Sequence, residues 1–177
     1  MLAFLTSALL LLSGVHADKA SIKWSNVQKG SYGLLVMPKP NGYFDFPSSL
    51  SNGMRPHIVS IYWLPVWDFN TAGEITKLKS DPKFGDFCLD VEPDAKNGTP
   101  LQIWECSASR PSQDWIWKDG HLKHVCSGLC VDVKDGQTGQ TAQLWECFDG
   151  NKNQQFEIPA DPWLPQGDPP RPSPTPI

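Results

Sequence analysis

The stretch CVDVKDGQTGQTAQLWEC, residues 130–147, decides the fold, because most of its pattern occurs twice in the chain. The stretch CLDVEPDAKNGTPLQIWEC, residues 88–106, carries the same aspartate and the same cysteine and tryptophan positions. Asp132 follows Asp90 by 42 residues, and Trp145 follows Trp104 by 41 residues. The difference of one residue falls in a glycine-containing loop, where insertions are tolerated. Ordered matches at one offset indicate an internal repeat. We call these stretches the second and third copies.

A first, degenerate copy is predicted upstream of them. Asp45 precedes Asp90 by 45 residues and takes the aspartate position in this alignment. His57 and Val59 stand where the later copies have glutamine and tryptophan, and Pro65 lies near the position of a later glutamine. Because the amides and the aromatic ring of the other copies are lost, we expect no functional site here.

The pattern within each copy is that of short strands. Apolar and polar side chains alternate over residues 101–104, and turn signals such as Asn97-Gly98 and Asp119-Gly120 break the chain at short intervals. No long apolar stripe of helical period follows the N-terminal segment. The sequence therefore predicts an all-β domain, in which three copies around a pseudo-threefold axis bury both faces and leave no exposed edge.

The N-terminal segment reads as a signal peptide covering residues 1–17. Leu2–Leu12 is an apolar run too short to span a bilayer, and Val15-His16-Ala17 ends it with a cleavage pattern after Ala17. An N-terminal membrane anchor is the alternative interpretation. We therefore expect a secreted, extracellular protein without a membrane span.

The rest of the chain divides by composition. Residues 18–32 form a lead-in to which the sequence assigns no role, and residues 33–160 form the β domain. Residues 161–177 contain seven prolines and are expected to be an extended, poorly ordered tail. The net charge is −4 and the sequence indicates no basic patch, so a nucleic-acid partner is not expected.

The cysteines are read first as disulfides, because secretion implies an oxidising compartment. The five cysteines are Cys88, Cys106, Cys126, Cys130 and Cys147. Because their number is odd, one of them has no disulfide partner within the chain.

The second and third copies resemble repeats of the ricin-B-type lectins. The resemblance is carried in order by the Cys-x-Asp-Val motif, the Gln-x-Trp-x-Cys motif, and the later Gln113-Asp114-Trp115 and Gln154-Gln155-Phe156. It is strong over residues 73–158 and weak over residues 33–72. It implies a β-trefoil of twelve strands that binds galactose-type or related glycans and glycoproteins, with no cofactor and no catalysis. The oligomeric state stays open.

The resemblance also implies one disulfide within each clear copy, joining Cys88 to Cys106 and Cys130 to Cys147. Each bridge should stabilise the fold by about 3 kcal/mol through loop closure. Cys126 is left over and is expected to be a buried free thiol. Its pairing with Cys130 or with a second chain is the alternative.

The chemistry of a sugar explains the residues that the family's site requires. An ionised acceptor binds hydroxyl groups, amides donate and accept in fixed directions, and an aromatic ring stacks on the apolar C–H face. In the third copy the expected contacts are Asp132, Gln143, Trp145, Asn153 and Gln154. In the second copy they are Asp90, Gln102, Trp104 and Gln113, with Ser112 in place of the asparagine, and we expect a weaker site. The alternative is that these side chains only anchor turns.

Other features of the sequence bear on metal binding, catalysis and glycosylation. The spacing His121, His124, Cys126 fits neither common zinc pattern, and no motif for nucleophilic catalysis is present, so we expect neither a metal nor an enzyme. Asn97-Gly98-Thr99 is a glycosylation sequon. The alternative function is a β-trefoil interaction protein or protease inhibitor that acts through its loops.

Overall fold

The structure is a computed structural model that describes residues 18–20, 22–25, 32–36, 50–60 and 67–158. These residues form the following β-strands: β1 (Asp18–Ala20), β2 (Lys23–Trp24), β3 (Tyr32–Val36), β4 (Pro56–Ser60), β5 (Trp67–Phe69), β6 (Phe87–Asp90), β7 (Gln102–Glu105), β8 (Trp115–Lys118), β9 (His121–His124), β10 (Cys130–Val133), β11 (Ala142–Trp145) and β12 (Phe156–Glu157). They also form 3-10 helices at Pro82–Phe84, Pro111–Gln113, Lys134–Gly136 and Lys152–Gln154. No helix in this part of the chain is long and apolar enough to cross a bilayer. The expected signal peptide and proline-rich tail lie outside the described residues.

The strands pair antiparallel in four sheets. Two of the sheets have four strands, in the orders β11-β10-β9-β8 and β12-β2-β3-β4, and the other two are the pairs β1-β5 and β6-β7. Phe156 of β12 lies opposite Trp24 of β2, so strands from the two ends of the described chain are neighbours. The strand set therefore begins at Asp18, within the segment that the sequence left as a lead-in before residue 33.

One hydrogen-bonding arrangement occurs three times and links each copy to the next. In each case a glycine at positive φ donates its N–H to a carbonyl oxygen of a buried central strand. The bonds run from Gly53 to Ile103 (2.9 Å), from Gly98 to Leu144 (2.8 Å) and from Gly139 to Ile58 (2.6 Å). Because the third bond returns to the first copy, the three copies form a closed ring. The all-β, three-copy β-trefoil predicted from the sequence is confirmed.

Apolar side chains from all three copies meet in one core, together with two from the N-terminal segment. The buried members are Ile22, Trp24, Ile58, Trp67, Phe69, Leu78, Leu89, Val91, Leu101, Ile103, Trp115, Leu122, Val131, Val133, Ala142, Leu144 and Phe156. Burial of this apolar surface is the main force that holds the ring together.

The alignment of the first copy needs a correction. The register of β3 and β4 places Leu35 opposite His57, as Asp90 lies opposite Gln102 in the second copy. Leu35 therefore takes the aspartate position, and the assignment of that position to Asp45 is wrong. The connection from β3 to β4 is longer than that from β6 to β7, so a constant offset selected the wrong segment. Asp45 itself lies outside the described residues.

Candidate functional site

The hairpin of β10 and β11 brings the predicted residues of the third copy to one face. Asp132 lies opposite Gln143, and Cys130 lies opposite Trp145. Alternate residues of a strand point to the same side, so these four side chains share a face. The residues between them are buried and apolar and point into the core. The repeat pattern thus sets a carboxylate, an amide and an indole on the outer side of the same hairpin.

The carboxylate of Asp132 is held by two amides. Gln143 Nε2 donates to Oδ1 at 3.0 Å, and Gln154 Nε2 donates to Oδ2 at 3.3 Å. Asp132 is 5% exposed, and burial raises the pKa of its carboxyl group, although the hydrogen bonds from both amides act in the opposite direction. Each carboxylate oxygen can accept more than one hydrogen bond, so acceptor capacity remains beyond these two donors.

The indole of Trp145 supplies an aromatic surface next to this carboxylate. It is 39% exposed, so part of its surface is open to a ligand. Asn153 lies against the Lys134–Gly136 turn, because its Oδ1 is 2.9 Å from the position that a Cβ atom on Gly136 would take. We call the group formed by Asp132, Gln143, Trp145 and Asn153 the third-copy pocket.

Gln154 and Gln113 hold the loops that follow the two disulfides. Gln154 Nε2 donates to the carbonyl oxygen of Glu146 at 2.8 Å, and its Oε1 accepts from Phe148 N at 2.9 Å. Gln113 makes the matching bonds, to Glu105 O at 3.0 Å and from Ser107 N at 2.9 Å. Both side chains are fully buried. These two glutamines therefore fix the backbone of the loops. Gln154 also contacts Asp132, and it does so from the buried interior of the domain.

The disulfides have the predicted pairing. Cys88 is bonded to Cys106 with a Cα–Cα distance of 5.0 Å, and Cys130 is bonded to Cys147 with a Cα–Cα distance of 5.1 Å. Cys126 is free, as expected, but it is exposed, so the expectation of a buried thiol is wrong. It ends up outside the core because the chain turns at residues 125–127, directly after β9.

The second copy differs from the third at the same positions. Asp90 is completely buried and accepts from Gln102 Nε2 at 3.0 Å and from Ser112 Oγ at 3.1 Å. Arg110 adds an ion pair, with its Nε 3.0 Å from Asp90 Oδ2. The guanidinium carbon of Arg110 also lies 4.8 Å from the centre of the Trp104 ring. We call the group formed by Asp90, Gln102, Trp104 and Ser112 the second-copy pocket; the sequence did not single out Arg110.

The histidines and the free cysteine of the zinc alternative are not arranged as metal ligands. His124 is buried against the Trp115 ring, with centroids 5.1 Å apart, and its Nδ1 is 2.8 Å from Ser127 Oγ. Burial lowers the pKa of His124, which favours the neutral imidazole. Within the described ranges, no group of three His, Cys, Asp or Glu residues is placed to hold a metal ion.

The sequon residue Asn97 is exposed and links the second copy to the third. Its Oδ1 accepts from Glu146 N at 2.8 Å, and Asn52 makes the same bond to Glu105 N at 2.7 Å. The adjacent Gly98 is close to the third-copy pocket, since a Cβ atom there would lie 3.7 Å from Cζ3 of Trp145. Among the described residues, none forms a hydrogen bond with Asn97 Nδ2, the atom to which an N-linked glycan attaches.

Comparison with solved structures supports the fold. The designed threefold-symmetric protein ThreeFoil is 20% identical, with a TM-score of 0.61, and the match covers 78% of this chain and 96% of that chain. The C-half of the earthworm R-type lectin, in complex with GalNAc, is 15% identical with a TM-score of 0.55, covering 80% and 98%. The agglutinin from Abrus precatorius is 20% identical with a TM-score of 0.55, covering 82% and 48%.

Comparison with protein families gives a match in sequence as well. The ricin-type beta-trefoil lectin domain family matches residues 65–156, which is just over half of the chain. This range contains both disulfides, both pockets and the motifs of the second and third copies. The chain therefore belongs to the ricin-type β-trefoil lectin domain family.

Proposed function

We propose that this protein is a secreted lectin that binds glycans ending in galactose or a related sugar in the third-copy pocket, without catalysing a reaction on them. The observation that carries the proposal is the shared face of a largely buried carboxylate, Asp132, and an exposed indole, Trp145. Family membership supports carbohydrate binding in general, and the galactose class is supported by the GalNAc bound to the earthworm R-type lectin.

The pocket has the chemistry that a pyranose ring needs. Two sugar hydroxyl groups donate to the oxygens of Asp132, and such bonds to a charged acceptor are short and strong. The amides of Gln143 and Asn153 offer further donors and acceptors beside it. The apolar C–H face of the sugar stacks on Trp145. Such a site is small and wet, so we expect weak affinity for a single sugar.

Secretion is part of the proposal and rests on the cysteine chemistry. Two disulfides in a domain of this size are typical of proteins that fold in an oxidising compartment.

We also propose that Asn97 carries an N-linked glycan after secretion. Expression in a eukaryotic secretory host should give a protein whose mass falls on treatment with a glycosidase that removes N-linked glycans. Asn97→Gln should abolish that fall, and an unchanged fall in this variant contradicts the assignment.

The direct test is a glycan array, followed by titration of the glycans that bind. Asp132→Asn keeps the shape of the side chain but removes its charge, and hydrogen bonds to charged groups contribute about 1.5–3 kcal/mol. We therefore expect affinity to fall by roughly 10- to 100-fold, and Trp145→Ala to weaken binding as well. Asp119→Asn, in the exposed turn between β8 and β9, is the matched control and should bind as the wild type does.

Two results would contradict the proposal. If binding of any partner survives both Asp132→Asn and Trp145→Ala, the protein acts through another surface, as a loop-based interaction protein or inhibitor does. If the protein releases sugar from chromogenic glycosides, and Asp132→Asn stops that release, the pocket is catalytic. We expect both variants to keep the fold and to bind less glycan, and we expect the wild-type protein to release no sugar.

A further inference from the structure

We infer that Arg110 occupies the second-copy pocket in the place of a sugar, so that each chain offers one glycan site and not two. This inference rests on the proposed function, because it uses the third copy as the description of an open pocket. It concerns a residue that lies outside the sugar-contact motif and that decides which of two similar pockets is open.

The guanidinium group takes both positions that a sugar would take. Its Nε forms an ion pair with Oδ2 of Asp90 at 3.0 Å, next to the carboxylate oxygen to which a sugar hydroxyl group would donate, and donates its hydrogen to Ser112 Oγ at 3.3 Å. Its central carbon lies over the ring of Trp104, 4.8 Å from the ring centre, where the C–H face of a sugar would stack. A guanidinium is well suited to both contacts, since it is planar, always charged and weakly hydrated.

The same position in the third copy shows what an open pocket looks like. Arg110 precedes Gln113 by three residues, and Asn151 precedes Gln154 by three. The Oδ1 of Asn151 accepts from the N–H of Asn153 at 3.0 Å, so this short side chain turns back to cap its own 3-10 helix. Arg110 makes no side-chain cap of this kind and extends over the pocket.

The exposure of matching residues follows from this difference. Asp90 is fully buried whereas Asp132 retains some exposure, and Trp104 is partly buried whereas Trp145 is exposed. A sugar entering the second-copy pocket has to remove a cation from a buried carboxylate and offer only neutral hydroxyl groups in exchange. Removal of the cation leaves a buried carboxylate without its charged partner, which is costly, and an attached side chain competes at a high effective concentration. A weakly bound sugar cannot displace it.

The experiment exchanges the two residues between the copies. Arg110→Asn with Ser112→Asn gives the second copy the residues of the third, and Asn151→Arg with Asn153→Ser does the reverse. The probe is N-acetylgalactosamine, titrated while the indole N–H signals of Trp104 and Trp145 are followed separately by NMR. In the wild type we expect only the Trp145 signal to move. The first double variant should gain a response at Trp104 within about tenfold of the Trp145 midpoint, and the second should lose the response at Trp145.

The Arg110 Nε–H signal of the wild-type protein gives a second readout that needs neither a ligand nor a variant. If Arg110 occupies the pocket, this proton exchanges with water at least tenfold more slowly than that of Arg55, which is exposed. Equal exchange rates overturn the inference, as does a Trp104 response in the wild type that matches that of Trp145. If neither indole responds in the wild type while the Nε–H is protected, the proposed sugar class fails and the occupation of the pocket by Arg110 stands.

Discussion

At the scale of single residues, the environment of Asp132 is matched to a neutral ligand. The carboxyl group is largely buried, it forms no ion pair with any described residue, and it accepts hydrogen bonds from the amides of Gln143 and Gln154. Burial raises the pKa of the Asp132 carboxyl group, because no cation among the described residues offsets the loss of hydration. Asp90, at the equivalent position, faces Arg110 instead. The same residue type thus forms an internal ion pair in the second copy, whereas in the third copy we propose that it accepts hydrogen bonds from a ligand.

The raised pKa of Asp132 makes sugar binding sensitive to acid. Hydroxyl groups that donate to the carboxylate stabilise its charged form, so the pKa falls when the sugar binds. We therefore expect the affinity to be highest above the raised pKa and to fall as the pH drops through it. Titration of one glycan from about pH 7.5 to about pH 4 should show this loss, and Asp132→Asn should bind weakly at every pH. A constant affinity over this range, with the fold intact, contradicts the role of Asp132.

Some of these residues could be predicted from the sequence and others could not, for physical reasons. Asp132 and Trp145 could be found because the repeat fixes their strand positions, and strand positions fix the face. The part played by Arg110 could not be found, because it depends on whether a long side chain turns towards the pocket or towards solvent. Gln154 was expected to touch sugar, but the structure uses both ends of its amide to hold the loop after Cys147.

At the scale of elements, each disulfide joins the start of a motif strand to the chain just after its partner hairpin strand. Cys130 opens β10 directly opposite Trp145 of β11, and its bond to Cys147 holds the end of that strand pair closed. The bridge in the second copy makes the same connection beside Trp104. The bonds therefore support the geometry of the pockets as well as the stability of the domain.

Removal of the two bridges should separate these effects. Cys130→Ala with Cys147→Ala should lower the free energy of unfolding by about 3 kcal/mol and weaken glycan binding, because the end of the strand that carries Trp145 is released. Cys88→Ala with Cys106→Ala should cost about the same stability but leave the affinity unchanged. Denaturant unfolding and titration of each double variant measure the two quantities. An equal loss of affinity in both variants contradicts a local role of the bridge.

The strands of the second and third copies could be predicted from alternation and turn residues, whereas β3 could not. A repeat offset transfers strand positions only while the connecting loops keep their lengths, and the long connection before β4 breaks that condition. The strands β1 and β2 carry no motif at all. Their place in the fold is set by pairing with β5, β3 and β12, which no local pattern reveals.

At the scale of the whole molecule, the ring of copies closes where the first copy meets the third. His57 pairs with Thr141 across this joint, and His57 Nε2 lies 3.1 Å from Thr141 Oγ1. The other ring nitrogen, Nδ1, is buried and makes no hydrogen bond to the described residues. Burial lowers the pKa of His57, so the folded protein favours the neutral imidazole.

This joint should make the fold sensitive to mild acid. The pKa of His57 is lower in the folded state than in the unfolded chain, so stability falls as the pH drops below the unfolded value of about 6.5. His57→Gln installs the residue that the other two copies have at this position. Its unfolding free energy should decline less than that of the wild type between about pH 7.5 and about pH 5.5, by at most about 1.4 kcal/mol. Thermal unfolding at both values tests this, and identical declines contradict it.

The turn at Asn97 has a consequence for how such a lectin can be divided or transplanted. This residue belongs to the second copy, yet its side chain fixes the backbone at Glu146, directly after the indole of the third. A single copy excised from the chain would lack this support, so the smallest portable fragment that retains the pocket has to include its predecessor. Engineers who graft the proposed glycan site onto another scaffold should therefore move the copies in pairs.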